Sequence, residues 1–217
     1  MHPLHRSALV LSAAALLVSA AAVPATAAVP DGAGAILHLF DPEVLDSGFE
    51  SPVVPPPAPF TMYAAGQSVG PWAVGGDTVD LVSDRLWDAA EGDQSLDLNG
   101  IGPGSVSQRI STLPLTSYVV TFELAGNPGP GPDVKTGELL VDGAVLTSFS
   151  FDTAPHDFRS MGYEKQTAVF TTLLDTSVTL TFASTNPSAG GPVIDDVRVR
   201  SCLLVLCPHT HPTHPHE

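Results

Sequence analysis

Turn residues set the tightest limit on what this chain can fold into. Between Glu43 and Arg200 a turn signal recurs about every 8–12 positions, the spacing of short strands joined by tight connections. The signals are Pro55-Pro56-Pro57, Gly75-Gly76, Asn99-Gly100, the run Asn127-Pro128-Gly129-Pro130-Gly131-Pro132, Asp142-Gly143 and Gly190-Gly191-Pro192. No stretch between them carries an apolar helical stripe over three turns, and Ser83–Glu91 has room for one helical turn at most. The intervening runs alternate instead. Tyr118, Val120, Phe122 and Leu124 share one face of a strand, with Val119, Thr121 and Glu123 on the other. Val178, Leu180 and Phe182 alternate with Thr179 and Thr181 in the same way. Period two with one apolar face is what a half-buried antiparallel strand needs. Further strands are expected at Thr78–Val82, Gln94–Leu98, Ser105–Ile110, Glu138–Val141, Val145–Phe151, Gln166–Thr171 and Val193–Arg200, with Asp142-Gly143 as a hairpin turn. The expectation is an all-β, antiparallel β-sandwich or barrel.

Composition narrows the class. The 217 residues hold 8 Lys+Arg against 23 Asp+Glu, a formal net charge of −15. A nucleic-acid binder needs a basic stripe to neutralise phosphates, and this balance does not supply one. Hydrophobic residues make up 43% and charged ones 14%, which speaks against a disordered chain. Residues 1–28 read as a secretory signal peptide: Arg6 sits in a short n-region, Ala8–Val23 is apolar, and Ala25-Thr26-Ala27 gives a small-x-small cleavage pattern. That run is shorter than the ~20 residues that span a bilayer, so no transmembrane segment is expected. The Ala-rich leader points to a bacterial source. Residues 29–42 form a lead-in segment, 43–200 the sandwich, and 201–217 a Cys/His/Pro-rich tail whose prolines forbid helix and interior strand. The expected location is secreted, extracellular. There a disulfide between Cys202 and Cys207 is permitted, but so small a ring cannot carry the fold, which must rest on apolar packing. Nothing in the sequence sets an oligomeric state.

Four constellations could carry chemistry. For catalysis, the chain between the signal segment and the tail offers only His38 and His156 as imidazole bases and no Cys, and no nucleophile, phosphate-loop or zinc-protease motif occurs, so the chain is read as a non-enzyme. His156 reads as a loop histidine. The second is Asp195-Asp196. In a regular strand Val193, Asp195, Val197 and Val199 share one side, which puts Asp195 on an apolar face. A buried carboxylate needs hydrogen bonds or a cation. Calcium, held with Glu50 and with Asp93 or Glu91, is one solution. The other is that one Asp caps backbone N–H groups and the other is solvated.

The third is the aromatic set Tyr63, Trp72, Trp87 and Tyr163. Sugar rings stack apolar C–H faces on aromatic planes and leave hydroxyls for polar side chains. Trp87 and Tyr163 are candidate platforms, with Asp88 and Asn127 as candidate hydroxyl partners; the plainer role for any of these rings is core packing, and Trp72 reads as core. The fourth is His209, His211, His214 and His216, a tract able to chelate Zn²⁺ or Cu²⁺ without a fold, or else an incidental polar tail.

Several strings carry a resemblance. They are Ser47-Gly48-Phe49-Glu50-Ser51-Pro52, Gly92-Asp93-Gln94-Ser95-Leu96-Asp97-Leu98-Asn99-Gly100, Leu124-Ala125-Gly126-Asn127-Pro128, Met161-Gly162-Tyr163 and Gly191-Pro192-Val193-Ile194-Asp195-Asp196-Val197. Over roughly residues 43–200 the chain resembles the bacterial choice-of-anchor C family, related to the domain of unknown function 642 proteins of plant cell walls. The resemblance implies a galactose-binding-like jelly roll, exported, non-catalytic and associated with cell-wall polysaccharide or another glycan. It also implies structural calcium at the Phe-Glu and Asp-Asp-Val segments. Two positions depart from the pattern: Tyr163 stands where Trp is usual, and Asp46 where Asn is usual. The tail lacks an anchoring span, which favours free secretion. The alternatives are a structural, matrix or adhesion protein with a protein partner, and metal capture by the His tail.

Overall fold

A computed structural model describes residues 41–202 and Cys207. The signal segment, the short apolar run at 36–40 and the tail histidines His209, His211, His214 and His216 lie outside the described residues.

Twelve strands form in order: β1 (Phe60–Ala64), β2 (Ser68–Val69), β3 (Trp72–Gly76), β4 (Thr78–Ser83), β5 (Gln94–Asp97), β6 (Gly104–Ser111), β7 (Ser117–Gly126), β8 (Val134–Val141), β9 (Ala144–Asp152), β10 (Glu164–Thr171), β11 (Ser177–Ser184) and β12 (Pro192–Cys202). They make two six-stranded sheets, ordered β1-β4-β5-β12-β7-β10 and β2-β3-β6-β11-β8-β9, and every pairing is antiparallel. No helix occurs among the described residues. The chain is the expected antiparallel β-sandwich.

The strands expected from alternation all form, with ends shifted by a few residues. The sequence did not announce β1–β3. Gly75-Gly76, read as a turn, instead runs inside β3 and pairs with Ser105 and Gly104. Ser83–Glu91 holds no helical turn; after β4 ends it is a series of turns. Asp142-Gly143 is the hairpin turn, both residues at positive φ (49° and 79°), as a two-residue primed turn requires.

Between the sheets the core is a chain of rings. Phe49 meets Trp72, Trp72 meets Phe182, Phe182 meets Phe122, and Phe122 meets Phe149, with centroids 5.3, 6.2, 5.0 and 5.4 Å apart. Such tilted and edge-on pairs add to the area they bury. Trp72 is core as expected, and its indole N–H donates to the Asp46 carbonyl at 3.1 Å. At the far end of β12, Cys202 and Cys207 form a disulfide.

One irregularity redirects a strand. In β12 the pairing with β7 slips between Asp195 and Arg198, and Asp196 takes φ 45° there. Asp195 lies opposite Glu123, but Arg198 lies opposite Thr121 and Arg200 opposite Val119. A β-bulge of this kind re-aims the side chains that follow it. Regular alternation would have put Val197 and Val199 beside Asp195; the bulge puts Arg198 and Arg200 there and turns Val199 inward.

Candidate functional site

Alternation and register place Val82, Ser95, Asp97, Ala125, Val193 and Asp195 on the face of the first sheet that points away from the second. Such positions are ordinarily solvated. Here all six are buried. The cover is two loops, 84–93 between β4 and β5 and 153–163 between β9 and β10. Trp87 from the first is 1% exposed, and its indole N–H donates to Ser95 Oγ at 2.9 Å. The Tyr163 hydroxyl, from the end of the second, donates to the same Oγ at 3.1 Å. Burial pushes the Tyr163 phenol well above its ordinary range.

The sequence named both Trp87 and Tyr163, and the fold does bring them together, with Trp87 buried and Tyr163 half-buried rather than laid open as platforms. The ring that solvent meets is Phe158. It lies parallel to Trp87, with planes 3° apart and centroids 6.1 Å apart, and is 39% exposed. Nothing local marked Phe158, one of nine phenylalanines. His156 is a loop histidine as read, its ring against Phe151 at 5.1 Å.

The carboxylates hold these loops. Asp195 is fully buried; its Oδ2 accepts the N–H of Ala90 (2.8 Å) and Glu91 (2.9 Å), and its Oδ1 the N–H of Asp196 (2.7 Å). Burial pushes the Asp195 carboxyl up to about 7, against the pull of those three donors. Glu50 Oε1 accepts the N–H of Asp93 (2.8 Å) and Gln94 (2.9 Å). Glu50 and Asp195 thus fasten opposite ends of the 90–94 segment. Between them Gly92 sits at φ 64°, and a Cβ there would collide with Glu50 Oε1. Of the residues named for calcium, Asp93 is exposed on this loop, and Asp196 pairs with Arg198 Nε at 2.8 Å. Among the described residues no three His, Cys, Asp or Glu converge as a metal-holding group. The need that pointed to a cation at Asp195 is met by backbone N–H donors.

A second buried network supports the other side. Asp97 Oδ1 accepts the N–H of Asn99 and of Gly191, both at 2.9 Å, and Oδ2 accepts Asn127 Nδ2 at 2.8 Å. Burial pushes Asp97 up to about 7, and Asp80, opposite it on β4, up to about 6. Lys135, 1% exposed, donates from Nζ to the Pro130 carbonyl at 2.8 Å. Burial lowers its pKa, and the charges of Asp97 and Asp133 oppose that. Asn127, named as a hydroxyl partner, spends Nδ2 on Asp97 and its Oδ1 on Gly129 N–H. The Pro-Gly loop 127–132 is therefore pinned by Asn127 and Lys135. A Cβ at Gly129 would stand 3.6 Å from Phe158 Cζ, so this loop borders the exposed ring. Asp88 stays exposed beside Trp87.

Residues 43–200 match the family described as protein of unknown function (DUF642). The chain belongs to that family. The DUF642 span takes in both covering loops and nearly all of both sheets. Its sandwich is similar to several solved structures. One is TmCBM61 in complex with beta-1,4-galactotriose: 20% identity, 72% of this chain and 95% of that one covered, TM-score 0.49. Another is a family 35 carbohydrate binding module from Clostridium thermocellum: 16% identity, 65% and 98% covered, TM-score 0.44. A third is the CBM22-1 xylan-binding domain from Paenibacillus barcinonensis Xyn10C: 13% identity, 65% and 93% covered, TM-score 0.45. Among curated proteins none matches the DUF642 chain significantly.

Proposed function

We propose that this DUF642 protein is a secreted, non-catalytic carbohydrate-binding module that recognises cell-wall or other extracellular polysaccharide, with a sugar ring resting on Phe158. The observation that carries the reading is the exposed Phe158 ring stacked on the buried Trp87 indole. A flat apolar ring in water is a natural seat for the C–H face of a sugar. It is held firmly, because Trp87 is fixed by Ser95, so little order is lost on binding. The 127–132 loop borders the ring at Gly129, and Asp88 is exposed next to Trp87 in the sequence, to meet hydroxyls. The reading is non-catalytic because the buried acids are already committed: Asp97 and Asp195 each accept three hydrogen bonds that hold loops. The leader sequence and the Cys202–Cys207 disulfide support an oxidising, extracellular setting. The strings Ser95–Gly100 and Leu124–Pro128 support the narrower choice-of-anchor C assignment.

Affinity electrophoresis on galactan, xylan, pectin and cellulose, with a peptidoglycan pull-down, tests the proposal. The wild-type protein should be retained on at least one. Phe158→Ala should weaken that retention about tenfold, the scale of one lost aromatic contact, with the fold kept by circular dichroism. No retention on any polymer sinks the reading.

Calcium is a separate proposal. Glu91 and Asp195 meet beside Gly48, where an added Cβ would touch Glu91 Oε2 and lie 3.6 Å from Asp195 Oδ1. Backbone carbonyls and water would have to supply the remaining oxygens. A higher melting temperature in Ca²⁺ than in chelator is expected, since an ion that binds only the native state stabilises it; equal melting retires the idea.

A matrix or adhesion role with a protein partner is the second reading. It is favoured by the end of the sandwich away from Phe158, where Leu113, Leu115, Leu173 and Leu174 are all exposed on two loops joined by the Leu115 N–H to Leu173 carbonyl bond.

A further inference from the structure

Beyond the covered part, the outer face of the first sheet is open. It forms a groove of about 400 Å³ lined by Val119, Thr121, Lys165, Asp196, Arg198 and Arg200. The β12 bulge builds it, because the slipped register is what sets Arg198 and Arg200 on this face, opposite Thr121 and Val119. Lys165 on β10 joins them across Glu123 of β7. Arg198 and Arg200 are two residues apart on one strand, so their side chains leave the sheet roughly 7 Å apart.

The gathering of cations here is notable in a chain of net charge −15. Three of the seven Lys and Arg among the described residues line this one groove. Elsewhere Arg85, Arg109 and Lys135 donate to their own chain, at Ala58 O and Val54 O, Ser177 Oγ, and Pro130 O respectively. In the groove, Asp196 holds Arg198 by Nε at 2.8 Å, which orients that guanidinium and leaves its outer nitrogens free. Glu123 stands 3.4 Å from Lys165. The Arg200 side chain has no partner among the described residues. The groove also begins where the aromatic cover ends, since Lys165 lies two residues after Tyr163.

We infer that this groove takes a carboxylate-bearing sugar, so that the polysaccharide recognised is a polyuronate, with the sugar carboxylate on Arg200 and Arg198 and Lys165 alongside. The inference rests on the carbohydrate-binding reading above and names its substrate class. A guanidinium presents a planar fork of N–H donors that matches a carboxylate in two parallel hydrogen bonds. Thr121 lies between the cations to meet a neighbouring hydroxyl. The protein's overall negative charge opposes a polyanion at long range. At ~0.15 M salt the Debye length is about 8 Å, so distant acids are screened and the groove's own cations decide the contact.

Isothermal titration with trigalacturonic acid and with neutral galactotriose tests this, on the full-length mature protein and on Arg200→Gln and Arg198→Gln. Galactotriose with sulfate esters serves as the other anionic probe. The wild type should prefer the uronate trimer about tenfold over either of the others. Each substitution should cost about tenfold for the uronate trimer, the scale of one charge-assisted contact. Neutral galactotriose should be unaffected, and Arg200→Gln should leave the melting temperature unchanged, because the Arg200 side chain has no partner among the described residues. Equal affinity for charged and neutral trimers, a preference for the sulfated probe, or an unchanged uronate affinity in Arg200→Gln overturns the inference and leaves the carbohydrate reading standing. Binding of no trimer overturns the inference as well; the polymer-retention experiment then decides the carbohydrate reading separately.

Discussion

Asp97 accepts three hydrogen bonds, from Asn99 N–H, Gly191 N–H and Asn127 Nδ2, so one buried carboxylate ties β5 to two separate loops. Asp97→Ala would leave three donors without a partner in a buried place. At about 1–3 kcal/mol for a lone unsatisfied group, partly relieved by relaxation, the expected loss is about 3 kcal/mol of unfolding free energy. Urea denaturation measures it. Asp97→Asn keeps an acceptor oxygen and should lose clearly less; an equal loss in the two variants would mean that side-chain volume, not hydrogen bonding, is what matters there. This residue was visible in the sequence only as part of the string Ser95–Gly100. Its pattern position gives an outward side chain on a half-solvated strand, and what buries it is contributed by loops remote in sequence. Phe158 was illegible for the same reason. Its partner Trp87 comes from another loop, and period-two reasoning says nothing about which loop lies over which sheet. Asp195 was legible in part: alternation put it on a buried face, and a backbone cap was one of the two solutions considered.

Among the elements, the strands from β4 onward were readable because each alternates cleanly or is bounded by strong turn residues. The first three were hidden by Pro and Gly, which in β3 continue the ladder instead of ending it. The β12 bulge was hidden too, since nothing in Val193–Arg200 announces where the register slips. The loop between β4 and β5 has the clearest elemental test. Gly92 sits at φ 64°, in the left-handed region, with Glu50 Oε1 occupying the space a Cβ would need. Gly92→Ala should therefore cost about 1–3 kcal/mol, from backbone strain and displacement of the Glu50 carboxylate. The loss should come with a change in Trp87 fluorescence, because the same loop carries the indole. A stability change without any spectral change would show that Glu50 and Trp87 are not coupled through this segment.

At the scale of the whole molecule, two buried acids and the half-buried Asp80 set a pH response. Burial raises Asp80 to about 6, and Asp97 and Asp195 to about 7. In the unfolded chain an Asp titrates near 3.9. From about pH 4 to pH 7 the folded protein therefore binds more protons than the unfolded one, and stability falls as pH rises through that window. The gain is complete below the unfolded value and lost above about 7. The surplus of acids acts in the same direction, since acidification relieves their mutual repulsion. Melting temperature should be higher at pH 5.5 than at pH 8, and Asp97→Asn should flatten the difference. A melting temperature that rises from pH 5.5 to pH 8 would contradict the assignment.

The order of strands in the first sheet has a temporal side. β12 is the last strand among the described residues, yet it lies between β5 and β7, near the middle of its sheet. Until residues 192–202 are delivered, β1-β4-β5 and β7-β10 have no strand to join them, and the face that the two loops cover does not exist. Both the Trp87–Phe158 stack and the Arg198–Arg200 groove are thus finished by the same late segment. Such non-local closure is slow to form. A chain of this kind carries neither feature through most of its length, and acquires both together when one strand slots into the middle of a sheet whose halves were made long before it.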